Sequence, residues 1–387
     1  MKKLCVVTAT RAEYGLLAPI IEKLRQEPDV EVHLVVTGAH LSPEFGSTVR
    51  EIEAAGTPID RRIDILLSAD SPAGASKTMA LALMGFADYF EDARPDALLL
   101  LGDRYELLAV GAAAMNERIP IVHLYGGETT EGAVDEAVRH SLTKMAALHF
   151  TGSEASRKRV IQMGEAPERV FAVGAMGPEN ALNMPKLTRR QLEESLQCSL
   201  GARYAVLTYH PVTLESSPAE KQVDAFARAV ERFPEITFLC TKANADAGGR
   251  AINERLLALS QESGHVLLFD SLGAQRYLSA VSGAEFVIGN SSSGLSEVPS
   301  LGVPTINIGD RQKGREHGPS VIDCPAEEEA IAAAIRYALT PEAKEIASRR
   351  ENPYGDGNAS ARIAEITADF LRNGCLSVQK TFYDIVF

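Results

Sequence analysis

The chain has 387 residues, with 39 Lys and Arg against 52 Asp and Glu and a formal charge of −13. That length suits two or three domains, and 45% hydrophobic with 24% charged residues is the composition of a folded soluble chain, not of long disorder. A protein this acidic is not a general nucleic-acid binder, which needs a basic surface, although a small cationic pocket for a phosphorylated ligand stays open.

In chain order, Lys3–Thr8, Val30–Thr37, Asp60–Ile65, Ala97–Leu101, Ile121–Leu124 and Leu148–Thr151 read as strands. Helical patterns over Gly15–Gln26, Ser76–Ala93 and Tyr105–Glu117 lie between them. Residues Leu98–Leu101 are apolar without interruption, as in a strand buried on both faces of a parallel sheet. A Gly- and Pro-rich passage at Val173–Asn180 and a polar helical stretch to Gln197 follow. A second series then begins with Tyr204–Tyr209, Thr237–Thr241, Val266–Phe269, Glu285–Gly289 and Pro304–Ile308. A last helix, about Ala359–Asn373, comes after the flexible NPYGDGN at Asn352–Asn358 and is expected to cross back onto the first domain. The fold class is therefore α/β, with two Rossmann-like, doubly wound domains (residues 1–178 and 179–358, with helix 359–373 returning) facing each other across a central cleft.

The N-terminal MKKLCVVTATRAEYG is interrupted too soon by Arg11 and Glu13 to be a signal-peptide core, and no window approaches the roughly 18 apolar residues of a membrane span. Cys5, Cys198, Cys240, Cys324 and Cys375 are scattered, odd in number and never in a CxxC pair, so neither a disulfide framework nor a zinc site is suggested. A cytoplasmic, reduced protein with neither membrane nor nucleic acid among its partners is expected.

Five loops after strands carry the chemistry. Thr8–Gly15 is not GxGxxG, which removes the best support for nicotinamide chemistry, and Arg11 before a helix suits a bidentate phosphate grip or a surface salt bridge equally. Asp103 in Gly102-Asp103-Arg104 reads as an N-cap or as a catalytic acid. The stretch from His123 to His140 gathers Glu128, Glu131, Asp135 and Glu136 with three glycines and two histidines. Neighbouring acids push each other's pKa values apart and so divide acid and base roles, which points this loop to catalysis, with Glu131 and Glu136 assigned to capping and solvent-facing charge. His123, Glu128 and His140 match no metal-ligand spacing. His210, before Pro211, stands after the first strand of the second series. Gly289–Gly294 (GNSSSG) offers hydroxyls and backbone N–H groups as a nest for a diphosphate, with Glu297 one turn on to take ribose hydroxyls. Arg311, Lys313 and Arg315 place three cations in five residues of an acidic chain, suited to a pyrophosphate leaving group.

In combination and order, TxTRAEYG, GDRYE, HLYGGETTEGAVDEAVRHSLTKMAxLHF, YHPVT, GNSSSGLSE and GDRQKGRE resemble the UDP-N-acetylglucosamine 2-epimerase family over nearly the whole chain. The likeness is to the hydrolysing branch, which opens sialic and related nonulosonic acid pathways. The resemblance implies a GT-B architecture, a UDP-sugar substrate, no cofactor, no metal and a homodimer or tetramer. It implies UDP contacts at Arg11, Arg104, Asn244, Ser291, Ser292, Ser293, Gly294, Glu297 and Arg311, with His210 near the diphosphate and counted with the catalytic groups. Asp103 and Asp135 match acids of the catalytic cleft. The third carboxylate is assigned to Glu128, because some relatives carry an acid where this chain has Tyr125.

The implied reaction removes UDP from C1 and a proton from C2, and water converts the resulting glycal to free N-acetylmannosamine. The alternatives are the same reaction on UDP-2,4-diacetamido-2,4,6-trideoxy-glucose, a non-hydrolysing 2-epimerase, a GT-B glycosyltransferase and a non-catalytic UDP-sugar sensor.

Overall fold

The computed structural model describes residues 1–67, 71–130, 134–210, 219–243, 249–374 and 376–385. The chain divides into two compact units, Met1–Met176 with Asn358–Phe387, and Gly177–Gly357. The first holds β1 (Lys2–Thr8), β2 (Val30–Thr37), β3 (Arg61–Ile63), β4 (Ala97–Leu101), β5 (Ile121–Leu124), β6 (Leu148–Thr151) and β7 (Val170–Ala172). They form one parallel sheet in the order β3-β2-β1-β4-β5-β6-β7. The second unit holds β8 (Tyr204–Thr208), β9 (Thr237–Thr241), β10 (Val266–Phe269), β11 (Val287–Gly289), β12 (Thr305–Ile308) and β13 (Val321–Cys324). Their order, again all parallel, is β10-β9-β8-β11-β12-β13.

Both sheets are doubly wound, the α/β architecture of GT-B-type proteins. In each, the chain first winds one way from its opening strand and then returns to continue on the other side. The reversal falls between β1 and β4 in the first unit and between β8 and β11 in the second. Loops leaving the carboxyl ends of strands at such a reversal diverge, and the crevice they leave is where ligands of open α/β sheets bind.

Burial follows from the residues. All five positions of β4 are buried, because helices cover both faces of the sheet. The helix Arg11–Gln26 turns Leu17, Ile20, Ile21 and Leu24 inward, a stripe at helical spacing. It shares one core cluster with Ile363, Ala364, Ala368 and Leu371 of the helix Ala359–Arg372, so the chain's last helix completes the first unit. Two short strands at sheet edges, β7 and β13, of three and four residues, are not among the strands expected from the sequence. Among the described residues no helix is long and apolar enough to cross a membrane.

Residues beyond that helix are tied down as well. Lys380 Nζ donates to Glu165 Oε2 (2.6 Å) and to the Ala146 carbonyl (2.7 Å), and Tyr383 N–H donates to the Gly164 carbonyl (2.9 Å). Glu165, 3% exposed in its side chain, also takes Lys144 Nζ at 2.6 Å and faces His149 Nε2 at 3.1 Å. Burial alone would raise the Glu165 carboxyl, but hydrogen bonds from His149, Lys144 and Lys380 hold it down at about 2. A carboxyl depressed in the folded state adds stability that is full above its unfolded pKa and lost as pH falls. The Glu165→Gln variant is therefore expected to be less stable than the parent at pH 7, by on the order of 3 kcal/mol, with the gap closing between about pH 4.5 and pH 2. Urea unfolding across that range checks it; a gap independent of pH would remove Glu165 from the acid response.

Candidate active site

At the reversal in the first unit, the chain leaves β1 through Thr8, Ala9 and Thr10 into the helix that starts at Arg11. Thr10 and Glu13 form a capping box: Glu13 Oε2 accepts from Ala9 N–H (2.7 Å) and Thr10 N–H (3.2 Å), while Thr10 Oγ1 accepts from Glu13 N–H at 3.4 Å. The other Glu13 oxygen is buried without a hydrogen-bond partner among the described residues, 4.0 Å from Arg104 Nε. Burial pushes the Glu13 carboxyl up to about 7, against the lowering effect of the Ala9 N–H and the Arg104 charge. Arg104 comes from the loop after β4 and donates through Nε to Glu106 Oε1 at 2.6 Å. Burial works against the Arg104 charge, yet Glu106 and Glu13 raise its pKa above the ordinary value. Arg11 is largely exposed, with Nη1 3.9 Å from Glu51.

Next to Arg104, Asp103 belongs to a polar network built on Arg139. Arg139 sits on the helix Asp135–Met145 with only 3% of its side chain exposed. Its Nη2 donates to Asp103 Oδ2 and to Thr130 Oγ1, and its Nη1 to the Glu128 carbonyl (2.9 Å) and Glu136 Oε2 (2.9 Å). Glu136 also accepts from Thr130 N–H at 2.6 Å and faces His140 Nε2 at 3.0 Å. Partial burial raises the Glu136 carboxyl, but Thr130, His140 and Arg139 together hold it below the usual range. One buried guanidinium thus fixes the loop after β4, the loop after β5 and the start of a helix.

The turn under Asp103 rests on His123. Gly102 takes φ +87°, and its carbonyl accepts from Nε2 of the fully buried His123 at 2.8 Å. Burial lowers the imidazole to about 4, so at neutral pH the ring carries one proton, and the carbonyl, which only accepts, places it on Nε2. His123 and His140 are each committed to a neighbour, and among the described residues no three His, Cys, Asp or Glu are grouped to hold a metal ion. The loop continues through Tyr125 and Gly127, both with positive φ; a Cβ on Gly127 would collide with the Ser156 carbonyl. Tyr125 is not a spare position. Its hydroxyl accepts from Met176 N–H at 2.5 Å, at the start of the helix Met176–Asn183.

The structure therefore gathers Asp103 and the backbone of Glu128 around Arg139, and places Asp135 on an exposed position of the same helix's first turn. Glu136, read in the sequence as cap and solvent-facing charge, is a central partner in the network. Arg139, which binds the network together, has no local signal in the sequence that marks it.

At the reversal in the second unit, β8 and β11 run so close that a Cβ on Gly289 (φ +137°) would collide with the Thr208 carbonyl. The fully buried Asn290 then cross-links the loops after these strands: its Oδ1 accepts from His210 N–H (2.7 Å) and its Nδ2 donates to the His210 carbonyl (2.8 Å). Arg311 Nη1 (3.1 Å) and Gln312 Nε2 (2.9 Å) both donate to the Asn290 carbonyl. The cation-rich loop is thereby tied to the serine loop. Ser291 and Ser292 are half-buried in this loop, and Ser293 is engaged: it accepts from Tyr277 Oη (2.9 Å) and donates to Glu297 Oε2. Burial raises the Glu297 carboxyl. Gly177 lies against that side chain, where a Cβ would sit 3.0 Å from Glu297 Cγ. The helix after the serines is a single turn, Ser293–Ser296, so the nest is more loop than helix terminus. Asn244 lies outside the described residues.

Comparison with known proteins bears on the family and the fold. The chain is 43% identical over 323 residues to a GDP/UDP-N,N'-diacetylbacillosamine 2-epimerase (hydrolyzing) of Campylobacter jejuni, covering 83% of this chain and 84% of that protein. It is 39% identical to a polysialic acid biosynthesis protein of Escherichia coli over 100% of this chain and 98% of the other. In fold it is similar to a UDP-GlcNAc 2-epimerase from Neisseria meningitidis solved with UDP-GlcNAc bound, with a TM-score of 0.81 at 20% identity, covering 95% and 100% of the two chains. With the sequence profile described as UDP-N-acetylglucosamine 2-epimerase matching residues 22–368, the chain belongs to the UDP-N-acetylglucosamine 2-epimerase family.

Proposed function

We propose that the protein is a hydrolysing 2-epimerase of a UDP-2-acetamido sugar, acting in the cytoplasm to supply sialic-type acid synthesis. With UDP-N-acetylglucosamine its products are UDP and N-acetylmannosamine. The observation that carries the reading is the Arg139 network, in which one buried guanidinium holds the Asp103 carboxylate, the Glu136 carboxylate and the backbone of Glu128 just beyond two strand ends. A simple nucleotide-binding protein has no use for such a cluster.

The chemistry needs two proton transfers at one carbon. A carboxylate among Asp103, Glu128 and Asp135 accepts the C2 proton; the C2–H electrons become the C1–C2 double bond as the C1–O bond breaks and UDP leaves with its electron pair. Water then adds its oxygen to C1 and gives up one of its protons to a carboxylate, while a second carboxyl group delivers a proton to the opposite face of C2. His210, Arg11, Arg104, Arg311, Asn244 and the loop Ser291–Gly294 hold the nucleotide and receive the charge that develops on the diphosphate, while Glu297 takes the ribose.

A second reading, the same reaction on the UDP-2,4-diacetamido-trideoxy sugar, draws support from the likeness to the GDP/UDP-N,N'-diacetylbacillosamine 2-epimerase (hydrolyzing) of Campylobacter jejuni. One experiment separates the readings. Each nucleotide sugar is incubated with the protein in D₂O and followed by NMR. Release of UDP with a free 2-epimer carrying deuterium at C2 is expected. Product of retained configuration with hydrogen at C2 would indicate a plain hydrolase. UDP-bound epimer would indicate the non-hydrolysing reaction, and unchanged sugar nucleotide a sensor. The sugar turned over with the higher kcat/KM is the substrate.

A further inference from the structure

We infer that Glu13 is a positioning residue for Arg104, and that an anion binding at Arg104 drives a proton onto Glu13. The inference rests on the proposed contact between Arg104 and the UDP diphosphate and adds a proton to that binding step.

Two buried carboxylates share this one guanidinium. Glu13 and Glu106 are 6% and 2% exposed, and each has one oxygen buried without a hydrogen-bond partner among the described residues, Glu13 Oε1 and Glu106 Oε2. Glu106 Oε1 holds Arg104 Nε at 2.6 Å and Glu13 Oε1 stands 4.0 Å from the same atom. The guanidinium is fixed by its Nε edge over the Tyr105 ring, 5.7 Å from the centroid, and the side chain is 43% exposed. Its partners among the described residues are Glu106, Glu13 and the neighbouring Tyr105 side chain, and its exposed edge is open to an anion.

A capping box does not require this arrangement. Glu13 Oε2 alone satisfies the Ala9 and Thr10 N–H groups, and nothing in helix capping calls for the second oxygen to be buried facing a cation. With both acids ionised the trio carries a net charge of −1, so one proton makes it neutral. Arg104 lowers the proton affinity of Glu13 and Glu106 raises it. An anion on the outer edge of Arg104 cancels part of the positive potential that Glu13 feels, so its proton affinity rises on binding. By linkage, a protonated Glu13 in turn favours the bound anion.

The remaining charged and titratable neighbours do not account for such a proton. His40, under the loop 8–10, faces Thr8 Oγ1 at 3.0 Å, and burial holds it near 4, so it is neutral throughout the range of interest. On the helix itself Arg11 is paired toward Glu51, and Tyr14 Oη lies 2.8 Å from Thr57 Oγ1.

The test is calorimetric titration of the full-length protein with UDP at several pH values between 6 and 8.5, in buffers of differing ionisation enthalpy, which reads protons taken up per UDP bound. UDP's own phosphate contributes equally to every variant, so differences between proteins carry the information. The wild-type protein is expected to take up a fraction of a proton more than Glu13→Gln, whose amide oxygen keeps the cap but cannot titrate. Glu106→Gln leaves the capping box untouched and lowers the proton affinity of Glu13, so its uptake maximum is expected at lower pH than wild type. Equal uptake by wild type and Glu13→Gln overturns the inference, and if Glu13→Gln does not fold, an unshifted maximum in Glu106→Gln overturns it. Absence of UDP binding by the wild-type protein overturns the nucleotide assignment and the coupling with it, a result distinct from normal binding without extra proton uptake.

Discussion

The Asp103→Asn variant is expected to turn over about 10²–10⁴-fold more slowly than the parent while binding UDP with similar affinity, the range typical of a lost general acid–base group. The substitution keeps the shape of the side chain and lets Asn Oδ1 accept from Arg139 where Asp Oδ2 does now. It removes only the charge and the capacity to carry a proton. Turnover from the D₂O assay and UDP affinity by calorimetry, measured on the same preparation, check the split. If turnover stays near normal, Asp103 is an anchor for Arg139 and nothing more. If turnover and UDP affinity fall together, the variant has disturbed the loop that also presents Arg104.

Replacing Arg139 with Met has a different signature. The guanidinium serves Asp103, Glu136, Thr130 and the Glu128 carbonyl at once, and its loss strands two carboxylates in a half-buried setting. Removing one partner of a buried ion pair costs about 3–5 kcal/mol. The lower end, about 3 kcal/mol, is expected here, because the Asp103 and Glu136 side chains keep 30% and 28% of their exposure. Catalysis is expected to fail as well, since the loop after β4, the loop after β5 and the start of the helix Asp135–Met145 lose their common tie. Urea unfolding of Arg139→Met and Arg139→Lys decides the matter. Lys keeps the charge but not the planar fork, so it should recover part of the stability and little of the turnover. Full stability in the Met variant would show that water serves the two acids as well as Arg139 does.

What was legible in the sequence follows the physics that makes each feature local or not. The β4 run is apolar at every position, so its burial shows in the chain itself. The edge strands β7 and β13 were not legible: each is only three or four residues, partly exposed, and defined by a neighbour that offers a hydrogen-bonding edge. The glycines and serines of 289–294 announce a tight polar loop because small residues are required there whatever surrounds it. The engagement of Ser293 depends on Tyr277, sixteen residues upstream, and no local pattern marks it. Arg139 is the clearest case. A single Arg on a polar helix carries no local mark of burial, and only the convergence of two loops on its helix's first turn buries it. The same holds for Glu13, whose Thr10 partner is visible in the sequence but whose Arg104 partner lies ninety-one residues away.

The order in which the ribosome delivers this chain matters for its folding. Gly177–Gly357 is continuous in sequence, so the second unit has all of its residues before the first unit does. The helix Ala359–Arg372, which covers Leu17, Ile20 and Leu24 in the shared core, emerges only after that whole stretch. At roughly 5–20 residues per second, the apolar stripe of the helix Arg11–Gln26 stays without its cover for about 17–67 s of synthesis. During that interval the nascent first unit is the aggregation-prone part of the molecule. Substitutions in Ile363, Ala364 or Leu371 should therefore reduce the yield of soluble protein more than their cost to the finished fold accounts for.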